Sequence, residues 1–125
     1  MALLYDVIES PLHPDLGGVA ATLGLERLVF TAQRKAIAQL RKRPPAIIAA
    51  DFFFGYGNNY AGANVSNLDV LLRSVLRFAP DARVIVFADR RELPHTDKLA
   101  ALFDIHAIVP LPTDRDSLLE HFPAG

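Results

Sequence analysis

The sequence predicts an α/β domain, a parallel β-sheet covered by helices on both faces. Five short apolar runs alternate along it with segments of helical period, an arrangement of five strand–helix units. Residues 46–51 are apolar on both faces up to Asp51, and 83–88 read as a buried strand rich in valine and isoleucine, as suits central strands of a parallel sheet. Right-handed crossovers then place the helices on both sides. At 125 residues the chain suits one domain over 1–125 with one core.

Residues 3–8 are apolar apart from Asp6 and read as a strand ending at Glu9-Ser10. Residues 16–23 form a helix weakened by Gly17-Gly18 and stopped by Gly24, a residue suited to a left-handed cap. Residues 26–30 make a short strand. Ala36, Ile37 and Leu40 give 31–42 a helical stripe, and Pro44-Pro45 ends it. The strand 46–51 closes on Asp51, and a loop rich in Gly, Asn and aromatics fills 52–64.

A helix is expected over 65–79, with Leu68, Leu71, Leu72, Val75 and Phe78 inward and Asn64 as its cap. After Pro80-Asp81 comes the strand 83–88. A short helix over 95–103 carries Leu99, Leu102 and Phe103. A last strand is expected over 105–109, and Thr113-x-x-Asp116 opens a final helix as a capping box.

Composition narrows the function. Net charge is −1 and the cations are scattered, so nothing marks a nucleic-acid or acidic-membrane surface. Arg41-Lys42-Arg43 suits a helix C-terminus, where cations favour the dipole. With no cysteine there is no disulfide, thiolate ligand or cysteine nucleophile. The first residues lack the basic start of a signal peptide, and no apolar stretch reaches the ~20 residues of a membrane span. A cytoplasmic protein is expected.

An acid closing a buried strand sits where α/β domains place their chemistry. The order of "VIESP", "RPPAIIAADFF", "APDARVIVFAD" and "AIVPLPTDRDSLLEHF" resembles the receiver domains of two-component response regulators over nearly the whole chain. That resemblance implies a flavodoxin-like (βα)5 fold with strand order 2-1-3-4-5. It implies that Asp51 matches the phosphoacceptor and Glu9 one member of the acidic pair that holds Mg²⁺. Four switch positions depart from the family pattern. Ser10 takes the other acidic position, Ala88 replaces the hydroxyl residue, Leu111 replaces the lysine, and Ile108 stands where a switching aromatic is common.

Each departure has a consequence. One carboxylate fewer weakens an octahedral Mg²⁺ site. Without the lysine, charge developing on a transferred phosphoryl group lacks its cation. A methyl at Ala88 cannot hydrogen-bond that group. The expected function is therefore an atypical receiver, or pseudo-receiver, acting through protein–protein contact with no enzymatic step and no cofactor. The resemblance implies use of the surface around the fourth and fifth helices and fifth strand, often in a homodimer. Arg90 or Arg91 is a candidate substitute cation. The alternatives are a working receiver phosphorylated at Asp51 with Mg²⁺ on Glu9 and Asp51, and a flavodoxin-like small-molecule module with a pocket near Glu9, Gly55 and Arg90.

The aromatic loop offers Phe53, Phe54, Tyr56 and Tyr60 as a partner surface, or else folds a phenylalanine or two over the sheet. Gly55-x-Gly57 lacks the rest of a phosphate loop. His13, His95, His106 and His121 show no metal-ligand spacing. A triad of Ser10, Asp51 and His13 or His95 has no nucleophile elbow behind it. Asn64-Val65-Ser66 is a chance glycosylation sequon without a secretory signal. The short tail after His121 fits a domain cut from a longer regulator.

Overall fold

The computed structural model describes residues 2–54 and 66–123. Five strands, β1 (Leu3–Val7), β2 (Glu26–Phe30), β3 (Ile47–Asp51), β4 (Arg83–Asp89) and β5 (Ala107–Leu111), form one sheet of order β2-β1-β3-β4-β5. Every strand pair is parallel. The helices are α1 (Gly17–Leu23), α2 (Gln33–Leu40), α3 (Asp69–Phe78), α4 (Thr96–Ala100) and α5 (Arg115–His121), with a short 3-10 turn, Leu93–His95, before α4. The expected flavodoxin-like (βα)5 architecture is therefore present.

Alternation along the strands sorts the core onto two faces. Tyr5, Val7, Ile48, Ala50, Val84, Val86 and Ala88 pack with Leu40 of α2, Leu71, Leu72 and Val75 of α3, and Leu99 of α4. Leu4, Ala49, Ile85, Phe87 and Val109 pack on the other face with Val19 and Ala20 of α1 and Leu118 of α5. β1, β3 and nearly all of β4 are buried along their length, as both-sided apolar runs require.

Local chemistry explains the ends. Gly24 takes φ +67°, and its N–H reaches the carbonyls of Ala20 and Ala21, which closes α1. α2 is shorter than expected at both ends, with Ala32 still extended before it. α3 starts at Asp69 rather than Val65. The Ser66 N–H and Oγ–H donate to Asp69 Oδ1 (2.7 and 2.9 Å), and the Leu68 N–H donates to Ser66 Oγ (3.0 Å). These side-chain bonds make a turn where a helical turn was expected. Asn64, the expected cap, lies outside the described residues.

The expected helix over 95–103 is divided, because the Leu93–His95 turn comes first and the helix itself stops at Ala100. β5 runs two residues later than expected, in register with β4 from Ile85↔Ala107 to Asp89↔Leu111. Pro110 lies inside β5, an edge strand, where a missing N–H is tolerated. At α5 the capping oxygen belongs to Asp114 rather than Thr113, and it accepts from the Ser117 N–H at 2.9 Å.

Candidate functional site

Asp51 is the last residue of β3, and its side chain is on the α1/α5 face with that of Ala49. Asp6 of β1 is on the same face as Leu4, in register with Ala49. The two carboxylates are therefore about two rungs apart on neighbouring strands, roughly 6–7 Å along the strand direction. Both are buried, with Asp6 at 0% and Asp51 at 1% exposure.

His13 bridges them. It lies in the loop from β1 to α1, where its N–H donates to the Ser10 carbonyl at 3.1 Å. Pro14 after it disfavours helical backbone at His13. The ring stands edge-on to Phe87, with centroids 5.2 Å apart. Nδ1 is 2.8 and 2.9 Å from the two oxygens of Asp51, and Nε2 is 2.5 Å from Asp6 Oδ1. The His13 side chain is only 2% exposed.

Both ring nitrogens face carboxylate oxygens, which only accept, so both carry hydrogen and the ring is an imidazolium. Burial pushes its pKa down, but the hydrogen bonds and charges of Asp51 and Asp6 push it up further, to about 9. Arg27 of β2 adds a second cation, its Nε–H donating to Asp6 Oδ2 at 2.9 Å. Two carboxylates thus meet two cations. Among the described residues, no buried side-chain polar atom lacks a partner.

Asp51 is saturated. Its Oδ2 also accepts from the backbone N–H groups of Glu9 (2.9 Å) and Ser10 (3.0 Å). Glu9 thus meets Asp51 through its amide. Its own carboxylate accepts from Gln33 Nε2 (2.8 Å) and Asn67 Nδ2 (3.2 Å). Asn67 further donates to the Asp51 carbonyl (2.8 Å) and accepts from the Phe53 N–H (2.7 Å), tying the start of the aromatic loop to the site.

These residues do not fit the Mg²⁺ expected on Glu9 and Asp51. A hard divalent ion needs carboxylate oxygens turned toward one centre. Here the Glu9 carboxylate faces side-chain amides, while that of Asp51 faces an imidazolium and two backbone N–H groups. Among the described residues, no group of three or more His, Asp or Glu side chains could hold a metal ion.

The expectation of an acid without a positive neighbour is corrected: the neighbour is His13. Arg91 does not serve Asp51, since its Nε–H donates to Asp89 at 3.3 Å and its side chain is almost wholly exposed. Arg90 is exposed just beyond β4. The imagined triad fails as well, because both nitrogens of His13 are committed and Ser10 Oγ accepts from the Leu12 N–H (3.0 Å). His95 stacks on Phe54 instead, with centroids 3.9 Å apart.

The other switch positions are apolar and packed. Ala88 is buried in the α2–α4 face of the core, with Ile108 packed against that face. Leu111 is buried on the α1/α5 face, and its bond to Pro112 is cis. Phe52 is buried, whereas Phe54 is exposed, stacked on His95 and approached by Lys98 Nζ at 4.8 Å. Tyr56, Tyr60 and Gly55 lie outside the described residues.

Asp6, Arg27 and Asn67 are site residues that sequence reasoning missed, and it set His13 beside Asp51 only in the discarded triad. One signal was available: Asp6 is the only charge in an otherwise apolar, buried strand, and such a charge needs a partner.

No protein-family model matches the sequence, and no curated protein is similar enough to match it. Solved structures do resemble it. The receiver domain of NtrX from Brucella abortus has a TM-score of 0.70 at 16% identity, over 94% of this chain and 92% of that one. The fold is that of a response-regulator receiver. FixJ-N aligns with a TM-score of 0.72 at 12% identity, over 97% of this chain and 90% of its own. The REC domain of AraT, a response regulator from Geobacillus stearothermophilus, gives 0.68 at 14% over 95% and 88%. Against the longer NtrX chain solved with ADP, this chain covers only 25% of the length, at 18% identity and a TM-score of 0.72. An adenylate cyclase structure from Rhodopirellula baltica shares the receiver fold too (0.65, 11%, over 95% and 87%), so the fold alone does not decide about catalysis. Among the described residues, no helix is long and apolar enough to cross a membrane.

Proposed function

We propose that this chain is a pseudo-receiver: a signalling module with the receiver fold that acts through protein contacts and does not use Asp51 as a phosphoacceptor. One observation carries the reading. Both carboxylate oxygens of Asp51 are occupied by His13, and one also by two backbone amides, in a position 1% exposed. A nucleophilic carboxylate needs an oxygen free to approach phosphorus and a cation free to take up developing charge. Here the nearby cation is spent on holding the carboxylate in place. Apolar Ala88 and Leu111 support the same reading, since neither can bond or neutralise a phosphoryl group.

The domain then works as a shape read by another protein, in the cytoplasm, through the surface of α4, β5 and α5 and the exposed Phe54. A second copy of the chain is one such partner. Incubation with acetyl phosphate and Mg²⁺ followed by intact-mass analysis tests this. The unmodified mass is expected, and a phosphoryl adduct mapped to Asp51 would overturn the reading.

A further inference from the structure

We propose that the α2/α3 face is a docking site for an acidic segment of a partner protein, gripped by the guanidiniums of Arg41 and Arg77. Cations that are scattered along the sequence are gathered by the fold. Residues 31–80 hold seven of the 13 lysines and arginines but only two of the 14 acids, Asp51 and Asp69, and both acids are buried. All seven cations are exposed, on α2, on the turn that follows it or on α3. Both helices pack on the same side of the sheet. The rest of the chain carries twelve acids against six cations. A protein of net charge −1 thus has one strongly positive face.

Most of that charge is unspent. Arg43 pairs with Glu26 (2.8 Å) and Arg73 with Asp69 (3.9 Å). Among the described residues, Arg34, Lys35, Arg41, Lys42 and Arg77 meet no carboxylate within salt-bridge reach. Helix dipoles do not account for them, since each helix end offers about half a negative charge, less than the cations gathered there. Arg41 follows α2 directly and Arg77 lies in the last turn of α3. Both guanidiniums stand over the ring of Phe78, 4.7 and 5.0 Å from its centroid. One ring thereby holds two like charges together, with their N–H edges left for a ligand.

The geometry selects the class of partner. Guanidinium edges match the paired oxygens of Asp and Glu side chains. Beside Phe78 opens a cleft of about 560 Å³ lined by Arg43, Pro44, Pro45 and Pro80, with Asp81 as its only acid. Its prolines give an extended segment an apolar wall to lie against. A nucleic acid fits less well, because Phe78 is already covered by cations and offers no stacking platform. A duplex or a membrane plane would also meet the acidic remainder of the surface. The cleft reaches Ala2, Ala46 and Ala82, each just before a strand, so it lies at the amino edge of the sheet, opposite Asp51. The inference therefore stands whether or not Asp51 accepts a phosphoryl group.

The test is fluorescence anisotropy of a labelled peptide of alternating Glu and Gly, titrated with the full chain at low salt, and its contact face is mapped by backbone amide NMR. The wild type is expected to bind, with shifts centred on Arg41, Arg43, Arg77 and Phe78. Arg41→Gln with Arg77→Gln is expected to weaken binding at least about tenfold. Arg41→Lys with Arg77→Lys, which keeps the charge but loses the forked donors, is expected to weaken it about threefold. Arg90→Gln with Arg91→Gln removes the same charge at the other edge of the sheet and is expected to change affinity less than about twofold.

No binding by the wild type, shifts centred elsewhere, or an equal loss in the Arg90 and Arg91 pair would overturn the inference. A lysine pair as tight as the wild type would overturn it too, since charge alone would then hold the peptide. Tighter binding of single-stranded DNA of matched charge, or of phosphatidylserine vesicles, would assign the face to nucleic acid or membrane instead. If the glutamine pair does not fold, the lysine pair and the wild-type shift map carry the test.

Discussion

An imidazole held between two carboxylates cannot point a lone pair at either of them without cost, so the folded pocket favours the charged form of His13. That ties stability to pH. The folded pKa of about 9 lies above the ordinary 6.5, so the stabilisation is complete below about pH 6.5 and fades as pH rises through about 9. Its size is on the order of 2 kcal/mol after solvent screening. Urea midpoints at about pH 6 and about pH 10 should therefore converge between wild type and His13→Gln as the pH rises. A wild-type advantage that stays constant over that range would show that the ring is not charged. Asp6 makes the larger demand. Asp6→Ala leaves His13 and Arg27 with one buried acid between them and should cost about 3–5 kcal/mol in urea unfolding. A loss under about 1 kcal/mol would mean that Asp6 is no part of a paired cluster.

The connecting loops, rather than the strands, decide what the acids touch. Asn67, just before α3, reaches Glu9, the Asp51 carbonyl and the Phe53 amide. Asn67→Ala should cost about 1–3 kcal/mol and speed amide exchange at Phe53, because that N–H loses its acceptor. Unchanged exchange there would mean that the tie is made elsewhere. At the start of α5, Asp114→Ala should lower stability by about 1 kcal/mol, while Thr113→Ala should do little. Comparable losses from both would contradict the assignment of the cap.

Legibility in the sequence follows the same division. β2 was readable to the residue and the end of α1 was marked by Gly24, because apolar period and left-handed glycine are local signals. The start of α3 was not, since the Ser66–Asp69 turn replaces helical bonds with side-chain ones that periodicity does not register. His13 was hidden for a related reason. In a loop no period fixes where a side chain points, and its partners lie on two different strands. The unexplained charge of Asp6 was the part of the site that could have been read.

The sheet order explains why the cluster forms where it does. In the order β2-β1-β3-β4-β5 the chain crosses outward in opposite directions from β1 and β3, which leaves a crevice at their carboxyl ends. Asp6, Glu9 and Asp51 lie at or near that crevice. In this molecule it is occupied by the loop carrying His13. The receiver fold is kept while its acidic corner is neutralised from within.

Beryllofluoride with Mg²⁺, followed through backbone amide NMR of the wild-type chain, probes that neutralisation most directly, because the adduct needs a free oxygen on Asp51. Signals of Glu9, Ser10, Asp51 and Ala88 are predicted not to move. Saturable shifts centred on those residues would mean that His13 yields its place, and the pseudo-receiver reading would fall.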